Sequence, residues 1–108
     1  MTTTAKSLIP GSALTASVVS YYSPAAGTTA VIKSMTAHNP TAGAVTLALY
    51  LIPSGGTVID AYKIIARSIA AGATDLCPEA INKVLAAGGT IQASGLTLSL
   101  SVSGVEIV

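Results

Sequence analysis

The chain has no tryptophan and no phenylalanine, and its only aromatic residues are Tyr21, Tyr22, Tyr50 and Tyr62. It has one cysteine, Cys77, and one histidine, His38. Charged residues make up 8% of its 108 positions, where an ordinary soluble domain carries roughly 25%. One cysteine cannot form an intrachain disulfide, which argues against a stapled secreted scaffold. A lone histidine with no cysteine or carboxylate at ligand spacing predicts no metal site. Cys77, between Leu76 and Pro78, reads as a small buried apolar group, since a nucleophile needs a base and a lowered pKa and only His38 is on offer. A formal net charge of +1 leaves little to neutralise phosphates or hold an anionic membrane, so neither nucleic acid nor membrane is expected as a partner.

The four acids, Asp60, Asp75, Glu79 and Glu106, are scattered, and Gly55-Gly56 and Gly88-Gly89 match no phosphate-binding fingerprint. Lys33, Lys63 and Arg67 read as guards of exposed strands before they read as a basic patch. The expectation is a chain with no catalytic residues and no cofactor, not an enzyme.

Long hydrophobic runs are also missing, although the hydrophobic fraction is 51% and mean hydropathy is +0.72. A helical membrane span needs about 18 apolar residues in a row. The best stretch, 44–52, stops at Pro53 and alternates. The pair Leu8-Ile9 is followed at once by Pro10-Gly11-Ser12, so no signal-peptide core is expected.

What is present is alternation. Val45, Leu47, Leu49 and Leu51 share one parity, and Ala44, Thr46, Ala48, Tyr50 and Ile52 the other, which is the strand period. Residues 29–38 form a second strand whose phase slips at Lys33-Ser34, as a β-bulge would cause. Asn39-Pro40-Thr41-Ala42-Gly43 reverses the chain between them, so 28–56 reads as a hairpin. Further strands are expected within 13–22 and 61–70, with Ile65 and Ile69 on one face. At 96–103 Leu96, Leu98, Leu100 and Val102 alternate with Thr and Ser. After Gly104 the apolar parity changes to Val105 and Ile107, which predicts a bulge at Gly104. Pro78 suits the first position of one short helical turn near 78–83. Six to eight short strands punctuated by Gly and Pro turns predict an all-β fold, an antiparallel β-sandwich or jelly roll.

Residues 13–108 are then a single sandwich domain. Residues 1–12 are Thr-rich and carry Pro10-Gly11. They read either as a frayed end or as an extended arm that adds to a neighbour's sheet edge. On the second reading the partner contacts are Thr2, Thr3, Thr4, Lys6, Leu8 and Ile9.

The segments TTAVIKSMTAHNPTAGAVTLALYLIPSGG, IAAGATDL, VLAAGGTIQA and SVSGVEIV resemble those of small tailed-bacteriophage virion proteins. The likeness covers roughly residues 21–108. In this chain Gly89-Thr90 stand where such proteins often have Gly-Asp-Thr. The resemblance implies a structural role in the virion, first of all as a head decoration (cement) protein. Such a protein is a homo-oligomer, commonly a trimer, bound to the major capsid protein on the head surface. A neck, tail or fibre component is the first alternative. A surface carbohydrate-binding module is the second; the lack of Trp and Phe for sugar stacking weakens it, though an exposed Tyr21, Tyr22 or Tyr62 could substitute.

Overall fold

The structure, a computed structural model, describes Thr2–Val108. Its strands are β1 (Thr3–Ala13), β2 (Val19–Tyr22), β3 (Thr29–His38), β4 (Val45–Ile52), β5 (Lys63–Ile69), β6 (Thr74–Asp75), β7 (Val84–Leu85), β8 (Thr90–Ser94) and β9 (Ser99–Ile107). Two single 3-10 turns, Asp60–Tyr62 and Pro78–Ala80, are the helical content among the described residues. Pro78 opens the second of them, as its fixed φ suits.

One sheet runs β1-β9-β3-β6, with β7 also paired to β3, and the other runs β2-β8-β4-β5. Every pairing is antiparallel. Leaving aside the two-residue β7, each connection crosses from one sheet to the other except β4–β5, which is a hairpin. This is jelly-roll wiring. The count of nine exceeds the expected six to eight because β6 and β7, two residues each, pair with opposite ends of β3.

The core lies between the sheets. Ile32, Met35 and Ala37 come from β3, Leu47 and Leu49 from β4, Ile65 and Ile69 from β5, Ile91 and Ala93 from β8, and Leu100 and Val102 from β9. The alternation expected for β3, β4 and β5 holds, and the slip in β3 is a bulge at Lys33, which β9 skips between Ile32 and Ser34. Tyr50 and Ile52 are buried too, but on the opposite face of β4. Gly56 lies against Ile52, and the Lys63 ammonium sits 5.6 Å from the Tyr50 ring centroid.

Four expectations need correcting. The 28–56 segment is not a hairpin, because β3 and β4 lie in different sheets. Pro and Gly signal that the chain reverses; they do not say whether it lands beside the first strand or across the core. Residues 1–12 do not stand apart from the domain. β1 pairs along β9 from Thr3 to Ala13, and Leu8 (5% exposed) and Ile9 (1%) are in the protein's own core, so neither is free for a partner. Leu96 is 60% exposed. It precedes β9 in a turn where Thr97 takes φ of 69°.

The expected bulge at Gly104 lies instead in the two neighbours of β9, at Leu8 of β1 and at Lys33 of β3. β9 keeps its phase, with Leu100, Val102 and Gly104 facing inward. Glycine is needed at 104 because a Cβ there would collide with the Val31 carbonyl oxygen.

Candidate interaction surface

Polar groups that the sequence scatters are gathered at three places. The first is Asn39, at the end of β3, with no exposed surface. Its Nδ2 donates to the carbonyls of Gly43 (2.8 Å) and Ile69 (2.8 Å). Its Oδ1 accepts from the Thr41 amide (2.9 Å) and hydroxyl (2.6 Å). All four hydrogen-bonding positions of the side chain are filled. Its backbone joins the next turn, donating to Ala73 and accepting from Gly72. One side chain thus ties the β3–β4 arch to the end of β5, across the two sheets.

The other two clusters close the open sides of the sandwich. At one side Arg67, paired with the inward-facing Leu47 on edge strand β5, reaches the opposite sheet. Its guanidinium grips Asp75 (Nε–Oδ2 2.5 Å, Nη2–Oδ1 3.2 Å) and Glu79 (Nη1–Oε2 2.7 Å, Nη2–Oε1 2.9 Å). These are two bidentate pairs on one planar group. The Arg67 contact holds the Glu79 carboxyl down at about 2. Burial pushes the Asp75 carboxyl up, but the Cys77 amide (2.7 Å) and Arg67 outweigh it, so Asp75 also titrates below its usual range.

At the other side the Tyr22 hydroxyl of β2 donates to Glu106 of β9, whose carboxylate also pairs with Lys6 of β1 at 3.4 Å. Burial, and then the Glu106 contact, raise the Tyr22 phenol; the Tyr22 and Lys6 contacts lower Glu106.

These assignments leave one broad surface nearly without charge: Lys33, exposed at the β3 bulge, donates to Asn82. Directly paired residues of antiparallel strands share a face, so rows can be read across the outer face of the β1-β9-β3 sheet. One row is Ala5, Val105, Val31 and Val84, crossing four strands. Beside it lie Thr3, Ile107 and Thr29. The other half is hydroxyl-rich: Ser7, Ser103 and Ser34, then Ser101 and Thr36, then Ser99, His38 and Thr74. His38 Nδ1 lies 3.0 Å from the Thr74 hydroxyl. No Lys, Arg, Asp or Glu stands in these rows. Val84 is 64% exposed, and Val31, Val105 and Ile107 are half-buried but outside the core cluster.

The apolar parity change after Gly104 was the sequence signal for this patch. Because β9 keeps its phase, Val105 and Ile107 emerge on the outside.

Among the expected contact residues, Thr2, Thr3, Thr4 and Lys6 are exposed. Thr3 lies on the outer face, while Thr4 and Lys6 are in register with inward-side residues. Cys77 is fully buried, and burial pushes its thiol up to about 12. Lys33, Lys63 and Arg67 are not brought together as a patch: Lys33 donates to Asn82, Lys63 pairs with Asp60, and Arg67 is taken by its two acids. Among the described residues there is no ligand-sized pocket, and no group of three or more His, Cys, Asp and Glu placed to hold a metal ion.

No family model and no curated protein matches the chain. Solved structures that resemble it include two virus particles. One is the crystal structure of the T13 IBDV viral particle, with a TM-score of 0.47, 14% identity, 97% of this chain covered and 30% of that one. The other is the structure of the infectious bursal disease virus Gx strain, with a TM-score of 0.41, 18% identity and the same coverage of 97% and 30%. The chain therefore spans under a third of the length of either.

Proposed function

We propose that this chain is a non-enzymatic structural protein of a virus particle, a capsid decoration (cement) subunit that packs on the head lattice of a tailed bacteriophage. Its partners are the major capsid protein and further copies of itself, trimeric in the arrangement that the resemblance implies. The observation that carries the reading is the charge-poor outer face of the β1-β9-β3 sheet, with its apolar row Ala5–Val105–Val31–Val84.

A free protein loses solubility by exposing such a face; a subunit that is always covered does not. Three full strands about 4.8 Å apart and about 30 Å long give roughly 450 Å² of flat area. A stable pairwise interface buries about 800 Å² on each partner. The face supplies about half of that, which suits a subunit held by several neighbours at once. The mechanism is binding alone: contact with the assembled lattice stabilises that lattice by mass action.

A glycan-binding reading is left with Tyr62 as its stacking ring, since Tyr21 and Tyr22 pack against the core and Tyr50 is buried.

Gel densitometry of purified particles tests the position. Decoration requires a copy number matching repeated lattice sites over the whole head. A copy number matching one ring or one set of fibres moves the protein to the neck or tail.

A further inference from the structure

We infer that the free edge of β1 joins the β1 of a second copy, antiparallel about a two-fold axis at Ala5, and so makes one continuous sheet of two protomers.

The backbone parity sets up the contact. Thr2 and Val108 exchange both of their hydrogen bonds. Antiparallel ladders alternate, so Thr4 with Glu106 and Lys6 with Gly104 are the next bonded pairs. The N–H and C=O groups of Thr3, Ala5 and Ser7 therefore point away from β9. Among the described residues β1 has no other strand beside it. Proteins usually blunt such an edge with a bulge, a proline or an inward charge. Here the bulge at Leu8 and Pro10 blunt only the far half; 3–7 stays regular and exposed, and its one inward-side charge, Lys6, is neutralised by Glu106.

The edge also matches itself. With Ala5 on the axis, the two Ala5 residues exchange two hydrogen bonds, and each Thr3 meets the other copy's Ser7 with two more. The smallest side chain lies on the axis, where each Ala5 meets its own copy. Each Lys6 falls opposite a Thr4, so no like charges oppose, and each Lys6 keeps its own Glu106. The apolar outer row then runs unbroken through both copies, from one Val84 to the other. This contact is a pairwise one, distinct from any three-fold arrangement, and it stands independently of the virion reading.

The test is sedimentation velocity of the full chain from micromolar to millimolar concentration, with Ala5→Lys and Ala5→Glu as variants. Ala5 is exposed on the outer face, so neither change touches the core, and circular dichroism should report the native fold for both. Wild type should shift to the mass of two chains as concentration rises. Each variant alone should stay at one chain, because like charges meet on the axis, while an equimolar mixture should recover the two-chain species. Amide exchange at Thr3, Ala5 and Ser7 should slow with concentration, and that at Thr4 and Lys6 should be slow throughout. A wild type that stays monomeric overturns the inference, as does a folded Ala5→Lys that associates like wild type or exchange at Ala5 that ignores concentration.

Discussion

Replacing Asn39 tests how the two sheets are held in register. In Asn39→Ala the Ile69 carbonyl loses its side-chain donor inside the protein, while the Thr41 hydroxyl, released from Oδ1, is free to donate to the Gly43 carbonyl 2.8 Å away. The Thr41 amide loses its acceptor near the surface. A buried group left unpaired costs about 1–3 kcal/mol, and the small void adds to it, so the expected loss is about 2–4 kcal/mol. For a chain of this size that lowers the melting temperature by roughly 10–20 °C.

Asn39→Asp has the same shape and should be worse at neutral pH. It turns two donors into an acceptor facing two carbonyl oxygens, and it buries a charge. Burial raises the folded-state pKa of that aspartate above its unfolded value of about 3.9. A group raised in this way penalises the fold progressively as pH climbs above the unfolded value. The deficit of Asn39→Asp relative to wild type should therefore be smallest near pH 4 and grow toward neutrality, while that of Asn39→Ala should not follow this course. Urea denaturation followed by circular dichroism at several pH values measures both. An Asn39→Ala loss under about 0.5 kcal/mol, or an Asn39→Asp deficit flat with pH, would refute the brace.

Other perturbations have equally direct readouts. Leu49→Ala and Leu98→Ala each empty a fully buried position and should cost about 2–5 kcal/mol by urea denaturation; an unchanged midpoint for both contradicts the core assignment. Gly104→Ala should destabilise although alanine is otherwise harmless in a strand, because its Cβ meets the Val31 carbonyl; a melting temperature equal to wild type contradicts the close approach. Asp75 and Glu79 titrate below their usual ranges in the fold, so their contribution is complete above the unfolded carboxylate values and is lost as pH falls through them toward about 2. The acid-side decline in melting temperature should be shallower in Arg67→Gln than in wild type, and equal slopes contradict the clamp. Cys77 should be inert to a thiol reagent in the native protein and react fully in denaturant, since its thiol is buried and pushed up to about 12; fast native labelling contradicts its burial.

The parts of the fold that the sequence makes legible are those governed by the two-residue period. β3, β4, β5 and the inward half of β9 follow directly from where Leu, Ile and Val fall. Pairing is a different matter, because alternation tells which face of a strand is buried and not which strand lies beside it. The Asn39–Gly43 turn shows this: its Pro and Gly permit a hairpin and a crossing arch equally, and the buried Asn39 side chain holds the arch.

β1 was obscured for another reason. An edge strand needs few apolar residues, so Thr3, Thr4, Lys6 and Ser7 look like a loose arm until Leu8 and Ile9 are found in the core. The ionic closures were illegible because Arg67 and Glu79 meet only after β5 and the 76–83 segment fold against each other. The apolar outer row was present as the parity change at Gly104, which reads as a bulge unless the neighbouring strands are known to take the bulges themselves.

The central claim is that the outer face of the β1-β9-β3 sheet is a packing surface on a particle. The most direct measurement is co-sedimentation with purified heads stripped of this protein, comparing wild type with Val31→Asp/Val105→Lys. Both changes lie outside the core, so the variant should keep the native circular dichroism spectrum. Wild type should sediment with the heads and saturate their sites, while the folded variant should stay in the supernatant. Saturation of the heads by the folded variant would contradict the claim.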